Sequence, residues 1–257
     1  MSSLEGVVFI GKRSVFIRFL QTRRYWGDCL NFMFDGSLNL SFGQKFTLIK
    51  RLYSITFSTE NIPHSQKQIL VFIRAILRAP RNTNGVVIEA GCFKGISSAK
   101  FSIAAALAHK DFIICDSFEG LPENDEPHEK GVYGRPIKFD AGDYAASLED
   151  VQNNIRHFGE IDACTFIKGW FDDTLPAFDR PVSAVYLDVD LVSSTKTCIQ
   201  HFWPLMESGA VIYSQDAHIP LVIELFESKS FWCDELGCVT APEVKYLDEL
   251  LLEVVKP

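Results

Sequence analysis

The stretch Val86-Val87-Ile88-Glu89-Ala90-Gly91-Cys92-Phe93-Lys94-Gly95-Ile96-Ser97-Ser98 decides the fold of this chain. It opens on a short apolar, β-branched run, which predicts a buried strand. A turn with two glycines follows, and the residues from Ile96 to Ala108 then predict a helix. Strand, tight turn and helix together form the first unit of an α/β sheet.

The alternation of strands and helices continues after this stretch. Further strands are predicted at 112–116, 163–168, 182–189 and 209–214, with helices that open at Ser147 and run from Ser193 to Met206. Because such alternation requires right-handed crossovers, it predicts a doubly wound, mostly parallel α/β sheet. Ligands bind such sheets beyond the carboxyl ends of the strands, so functional residues are expected there.

The segments outside this alternation are predicted to cover the site. Residues 1–60 show no clear period and are interpreted as an N-terminal helical cap on a domain that spans residues 61–257. The apolar spacing from His64 to Arg78 predicts a helix. The polar stretch from Glu119 to Gly142 is the longest predicted loop, and loops of this kind often act as lids. We expect the cap and this loop to close over the site and exclude water.

Composition narrows the class of partner. The 257 residues are 47% hydrophobic and 23% charged, as in an ordinary globular protein. With 33 acidic and 25 basic residues the net charge is −8, which argues against nucleic acid and favours a small-molecule substrate. The seven cysteines include no C-x-x-C pair, so reduced thiols are expected. No signal peptide or membrane-spanning run is predicted, and a cytoplasmic location is expected.

The glycine turn gives the first indication of a cofactor. Its spacing is G-x-x-x-G, whereas a pyrophosphate cradle has G-x-G-x-x-G, so the turn favours S-adenosylmethionine over a dinucleotide. Glu89, just ahead of the turn, can pair with an ammonium group. Asp116, at the end of the second strand, can bind both hydroxyls of a ribose. Nicotinamide-dependent enzymes use the same position, so Asp116 indicates a nucleoside without choosing the cofactor.

Acidic residues at the ends of the fourth and fifth strands predict a metal site and a base. Asp188 and Asp190 end one strand, and Gln215 and Asp216 end the next. Because these strands are neighbours in such a sheet, Asp188, Gln215 and Asp216 are expected to converge, and their oxygens suit Mg²⁺. Asp188 or His218 is expected to take the proton of an acceptor hydroxyl, although His218 equally suits the start of the following helix.

Three segments of the chain resemble one known family. They are Asp116-Ser117-Phe118-Glu119-Gly120-Leu121-Pro122, Lys168-Gly169-Trp170-Phe171-Asp172-Asp173-Thr174-Leu175-Pro176 and Asp188-Val189-Asp190-Leu191-Val192-Ser193-Ser194-Thr195. In this order they resemble the macrocin O-methyltransferases, metal-dependent enzymes that act on sugar hydroxyls of antibiotics. The resemblance covers roughly residues 60 to 235.

This resemblance implies a seven-stranded class I methyltransferase fold, often dimeric, with Mg²⁺ held by Asp188 and Asp216. The chain departs from the family at Gln215, because the first Asp of the usual pair is expected there and a neutral amide adds no charge. Trp170 matches the segment beside the adenine, where it suits either stacking or the core. His64 is interpreted as a structural residue or a lid contact.

The motifs and the resemblance together define the predicted site. Its cofactor contacts are Glu89, Gly91, Cys92, Phe93, Gly95, Ser97, Ser98, Asp116, Ser117, Phe118, Lys168, Gly169, Trp170, Phe171 and Asp190. We expect an S-adenosylmethionine-dependent O-methyltransferase that acts, with Mg²⁺, on a hydroxyl of a small sugar-containing or polyhydroxylated metabolite. Two alternatives stay open: a family member that binds S-adenosylmethionine without catalysis, and a nicotinamide-dependent dehydrogenase.

Overall fold

The computed structural model describes residues 22–59, 64–79 and 84–257. Its helices are α1 (Trp26–Met33), α2 (Phe42–Ser58), α3 (Gln66–Arg78), α4 (Ile96–Ala108), α5 (Leu148–Phe158), α6 (Phe171–Thr174), α7 (Val192–Phe202) and α8 (Pro220–Glu227). Its strands are β1 (Val86–Ala90), β2 (Phe112–Asp116), β3 (Cys164–Lys168), β4 (Val182–Leu187), β5 (Met206–Ser214), β6 (Val244–Tyr246) and β7 (Leu252–Val255). The predictions made for residues 1–21 lie outside the described residues.

In the described part of the chain, seven strands form one sheet in the order β3-β2-β1-β4-β5-β7-β6. The first five pair in parallel, whereas β7 is antiparallel to both β5 and β6. This confirms the predicted doubly wound, mostly parallel seven-stranded sheet. The winding reverses between β1 and β4, and a ligand crevice is expected beyond the carboxyl ends of the strands at that point.

Element ends differ from the predictions where the chain turns. β4 ends at Leu187 and not at Val189, because Val189 to Leu191 form a tight turn in which the Leu191 N–H donates to the Val189 carbonyl at 2.6 Å. α7 ends at Phe202 and not at Met206, because Pro204 has no N–H to continue the helix. The sequence did not locate β6 and β7, which are only three and four residues long.

Helix α3 begins at a capping box. The Ser65 hydroxyl accepts from the Gln68 N–H, and the Gln68 side chain accepts from the Ser65 N–H. This reciprocal pair satisfies two N–H groups that the first turn leaves open. The predicted helix over 64–78 therefore begins two residues later, and His64 lies just outside it with its side chain free to point elsewhere.

The N-terminal helices extend the core and do not roof the cavity described below. Phe32 of α1 and the α2 residues Leu48, Leu52 and Ile55 are buried in one cluster with α3 and α4. Of residues 22–59, Thr59 alone lines the cavity. The expectation that the N-terminal segment closes over the site is therefore wrong for these helices, because their apolar faces are already used against α3 and α4.

Two further predictions concern the length of the apolar helices and the state of the cysteines. None of the helices in the described ranges is both long enough and apolar enough to cross a bilayer. All seven cysteines are free thiols, as the sequence predicted.

Candidate active site

A cavity of about 1080 Å³ opens at the carboxyl edge of the sheet. Residues that follow five successive strand tips line it: Gly91 after β1, Asp116 at β2, Gly169 after β3, Asp188 after β4 and Asp216 after β5. The parallel topology brings these tips together, because the carboxyl ends of parallel strands share one edge. One cavity therefore joins the predicted cofactor turn to the predicted acid cluster.

The glycine turn needs glycine for a steric reason. Gly91 has a φ of +80°, and a Cβ at this position would overlap the backbone carbonyl oxygen of Asp188. The Asp188 N–H donates to the Ala90 carbonyl at 3.0 Å, which holds the two strand tips in contact. The missing side chain thus allows β4 to bring Asp188 against the turn.

Asp116 connects the second strand to the glycine turn. Its Oδ2 accepts from the Cys92 N–H at 2.7 Å, and its Oδ1 accepts from the Phe118 N–H at 2.7 Å. Charge-assisted bonds of this length are strong, and they fix the carboxylate in the cavity wall. The structure thus shows both the turn-capping role and the position expected of a ribose ligand.

The structure divides the predicted cofactor contacts into two groups. Those that line the cavity are Gly91, Cys92, Phe93, Ser97, Asp116, Ser117, Gly169, Trp170, Phe171 and Asp190. Those that do not are Glu89, Gly95, Ser98, Phe118 and Lys168. The second group packs behind or beside the cavity lining, and its contact with a cofactor stays a prediction.

The structure places Glu89 outside the cavity lining with its buried Oε1 lacking a described partner, and the contact with an ammonium group stays a prediction. Its side chain is fully buried beneath α4, where the carboxylate accepts from the Ser98 hydroxyl. Burial raises the pKa of Glu89 to about 8, the hydroxyls of Ser97 and Ser98 oppose this rise, and the charge of Asp188 adds to it. Glu89 therefore lies behind the cavity wall, because the residue before a buried turn points into the sheet's own packing.

The remaining non-lining residues each have a packing role. The Gly95 position faces Val151 of α5, which leaves no room for a side chain. Phe118 is buried and its ring packs against Phe166 of β3. The Lys168 ammonium lies 3.9 Å from the Glu119 carboxylate, outside the cavity.

Three acids converge at the tips of β4 and β5. Burial, followed by the charges of Asp190 and Asp188, raises the pKa of Asp216 well above its usual value. Burial and the charge of Asp188 raise the pKa of Asp190 to about 8. Asp216 Oδ2 accepts from the N–H groups of Val189 and Asp190, at 3.2 and 3.3 Å, while its buried Oδ1 has no partner among the described residues.

Two of the three predicted metal ligands are carboxylates that fit a divalent cation. Asp188 and Asp216 face the same cavity, and the orphaned oxygen of Asp216 is a donor that a cation would satisfy. Gln215 also lines the cavity, and its Oε1, a neutral oxygen, accepts from the buried Tyr186 hydroxyl at 2.6 Å and keeps a second lone pair. Within the described ranges, no three His, Cys, Asp or Glu side chains form a ready metal site. Proteins commonly bind magnesium through one or two carboxylates, and water completes its coordination shell. The carboxylates of Asp188 and Asp216 are therefore ligands of the right type and number.

The structure gives His64 a role that sequence reasoning missed. Its Nε2 lies 2.9 Å from Asp188 Oδ2, and because an ionised carboxylate only accepts, Nε2 carries the hydrogen. The ring also packs edge-on against Tyr186. No motif marks His64, since it lies 124 residues before its partner and follows no strand.

His218 lines the cavity and precedes α8, so its structural and functional interpretations both remain open. Its Nδ1 is buried without a partner among the described residues. Burial lowers the pKa of His218, against the opposing charge of Asp188. A ring kept neutral in this way can accept a proton near neutral pH.

The predicted loop lies beside the cavity and is tied down at several points. Leu121 exchanges backbone hydrogen bonds of 2.9 Å with Asp143 and Gly142, which closes the base of the loop. Glu126 accepts from the first N–H groups of α7, those of Val192 and Ser193, at 2.9 and 2.8 Å. These contacts place Gly120 to Glu123 in the cavity lining, and the role of this loop as a lid stays a prediction.

Curated relatives match the middle of the chain. It is 32% identical over 138 residues to 8-demethyl-8-(2,3-dimethoxy-alpha-L-rhamnosyl)-tetracenomycin-C 4'-O-methyltransferase of Streptomyces olivaceus, covering 51% of this chain and 52% of the relative. It is 28% identical over 144 residues to mycinamicin III 3''-O-methyltransferase of Micromonospora griseorubida, covering 53% and 56%. The matched region therefore spans about half the length of each of these relatives.

Solved structures share the fold. The O-methyltransferase NovP superimposes with a TM-score of 0.64 at 16% identity, covering 83% of this chain and 99% of NovP. The calicheamicin methyltransferase CalS11 does so with a TM-score of 0.59 at 13% identity, covering 99% and 97%. At these identities the likeness establishes the class I methyltransferase architecture. The sequence profile described as Macrocin-O-methyltransferase (TylF) matches residues 68–228, and this chain belongs to that family.

Proposed function

We propose that this protein is an S-adenosylmethionine-dependent O-methyltransferase that acts on a hydroxyl of a small sugar-containing or polyhydroxylated metabolite. One observation carries the proposal: a single cavity joins the glycine turn at Gly91 to the acids Asp188 and Asp216. A methyl donor at the turn would lie beside groups able to take a proton. Family membership and the sugar hydroxyls named for the relatives give the reaction class and the acceptor class.

The cofactor is proposed to lie across the tips of β1, β2 and β3. Asp116 would accept from the ribose hydroxyls with lone pairs that its two backbone contacts leave free. Trp170, which lines the cavity and is 37% exposed, offers an aromatic face to the adenine. The nicotinamide alternative gains no support from the family or from these relatives.

Asp188 is the proposed general base. As the acceptor oxygen attacks the methyl carbon, the carbon–oxygen bond forms, the carbon–sulfur bond breaks, and sulfur keeps the electron pair. The hydroxyl proton passes to Asp188, whose orientation is set by the hydrogen bond from His64. His218 is the second candidate base, because its neutral ring faces the same cavity.

Mg²⁺ is proposed to bind Asp188 and Asp216. When bound, it would orient the acceptor and lower the pKa of its hydroxyl. Gln215 is proposed as a third, neutral ligand through the lone pair of Oε1 that its hydrogen bond with Tyr186 leaves free.

The proposal is tested by mass spectrometry on the purified protein. A panel of glycosylated and polyhydroxylated acceptors is incubated with S-adenosylmethionine, with and without Mg²⁺, and S-adenosylhomocysteine and a methylated acceptor are the expected products. Asp188→Asn should lower kcat about 10²- to 10⁴-fold, as loss of a general base does, while S-adenosylhomocysteine still binds. If His218→Gln abolishes turnover and Asp188→Asn does not, the assignment of the base is reversed.

A second candidate function follows from one residue. Because Gln215 is a neutral amide, the metal site has fewer charges than the resemblance implies, which favours, as the alternative, a family member that binds S-adenosylmethionine without catalysis. That alternative predicts that S-adenosylhomocysteine binds, as measured by calorimetry, but that no acceptor is turned over. Asp188→Asn should then have no effect on activity.

We further propose a homodimer in the cytoplasm. The surface of α1 and α2 exposes large apolar side chains, a feature of association sites. They are Trp26, Leu30, Phe34, Phe42 and Phe46. Light scattering should report twice the chain mass for the wild type and a monomer for Phe34→Ser combined with Phe46→Ser; a wild-type monomer would contradict this.

A further inference from the structure

Lys100 is a buried lysine that no part of the proposed reaction uses. It lies in α4, three residues after Ser97, so both side chains project from the same face of the helix. Lys100 is 1% exposed, and both residues line the cavity. A lysine in this position is unusual, because lysine is almost never fully buried without a partner.

Among the described residues, no carboxylate balances the charge of Lys100. Its Nζ donates to the Thr56 hydroxyl at 2.9 Å, and that hydroxyl in turn donates to the Leu52 carbonyl at 2.9 Å. Burial alone lowers the pKa of Lys100 to about 7, and no described carboxylate opposes this effect. An ammonium has three hydrogens to donate, so the site has capacity for an anion.

The rest of the cavity has the opposite charge. Seven of the described lining residues are acidic, whereas the lysines among them are Lys94 and Lys100. Such a lining suits a cationic ligand, and S-adenosylmethionine carries a sulfonium and an ammonium. Its one carboxylate would be repelled by most of this wall, and Lys100 is the deeply buried cation that can receive it.

We propose that Lys100 binds the α-carboxylate of the methionyl part of S-adenosylmethionine and selects for cofactors that carry it. The inference rests on the proposed function. The Lys100 ammonium, which already donates to Thr56, forms a charged hydrogen bond with the carboxylate, and binding neutralises a cation that has no carboxylate partner among the described residues. Lys100 is therefore a binding residue and takes no part in the methyl transfer itself.

Calorimetry with three nucleosides tests this role. They are S-adenosylhomocysteine, its decarboxylated counterpart S-adenosyl-3-thiopropylamine, and 5′-methylthioadenosine, which lacks the amino-acid part. The wild type should bind S-adenosylhomocysteine at least about tenfold more tightly than the decarboxylated compound. In Lys100→Met this preference should disappear, through weaker binding of S-adenosylhomocysteine alone. Lys94→Met is the matched control and should keep the preference.

Folding is checked in the same samples. Lys100→Met should melt at or above the wild-type temperature, because an apolar chain replaces a buried ammonium that has no described carboxylate partner; Lys100→Gln serves if it does not. Equal losses for all three nucleosides, or an unchanged preference, would overturn the proposal. Loss of the same preference for S-adenosylhomocysteine in Glu60→Gln would also overturn the proposal; residue 60 lies outside the described residues. Failure of the wild type to bind any of the three refutes the proposed function instead.

Discussion

The two ends of the cavity are stabilised in different ways. At the glycine turn, Asp116 accepts two backbone N–H groups and Gly91 allows close contact with β4. At the tips of β4 and β5, the charge of Asp188 raises the pKa of Asp190, and the charges of Asp190 and Asp188 raise the pKa of Asp216. Both oxygens of Asp116 are satisfied by the chain itself, whereas Asp216 has a carboxylate oxygen without a described partner. The difference indicates that the cofactor end is preformed and that the acid end is completed by what binds there.

The largest expected effect is at the point where the two ends meet. Gly91→Ala should lower the free energy of unfolding by about 4 kcal/mol or more, because the new methyl group overlaps the Asp188 carbonyl. Thermal denaturation measures the loss. Gly134→Ala is the matched control: its φ is +75° but nothing lies within 4 Å, so about 1 kcal/mol is expected. Similar losses for both variants would show that backbone conformation, and not the contact between strand tips, demands the glycine.

A smaller effect is expected at the cofactor end alone. Asp116→Asn replaces one accepting oxygen by a donating amide, which must then face the N–H of Cys92 or Phe118. We expect a loss of about 2 kcal/mol in unfolding free energy, together with weaker S-adenosylhomocysteine binding by calorimetry. Asp111→Asn, which removes an exposed partner of Arg180, should change stability by less than about 1 kcal/mol. An Asp116→Asn protein of wild-type stability and affinity would remove the basis for calling this end preformed.

The acid end should respond in turnover and not in cofactor binding. His64→Gln removes the ring that orients Asp188, so kcat should fall roughly tenfold to hundredfold. Affinity for S-adenosylhomocysteine, measured by calorimetry, should stay the same, and His201→Gln in α7 should alter neither quantity. Loss of affinity without loss of kcat would place His64 at the cofactor end.

The smallest effect concerns pH. Burial raises the pKa of Glu89 to about 8 in the folded protein, whereas in the unfolded chain the pKa lies near its ordinary value of 4.5. Its contribution to stability is therefore complete below that value and is lost as the pH rises through about 8. The urea midpoint of the ligand-free protein should fall across this range, and the fall should be shallower in Glu89→Gln than in the control Glu160→Gln. Identical slopes would mean that Glu89 is ionised in the fold.

Local sequence patterns were sufficient to predict where several strands and helices of the sheet begin and end. The predicted bounds of β1, α4 and β2 agree with the structure, because β-branched runs and a glycine turn act within a few residues. They were not sufficient where packing decides. Glu89 precedes the same turn but is fully buried, and the N-terminal helices bury their apolar faces against α3 and α4.

By itself, the sequence determined the doubly wound sheet, the family, and the edge at which Gly91, Asp116, Asp188 and Asp216 meet, since alternation and strand-end position are local properties of the chain. Tertiary structure alone decided that His64 reaches Asp188, that the Tyr186 hydroxyl donates to Gln215, and that Lys100 lines the cavity with Thr56 as its hydrogen-bond partner. Contacts between side chains far apart in sequence depend on how helices pack on the sheet, and no spacing rule records that packing.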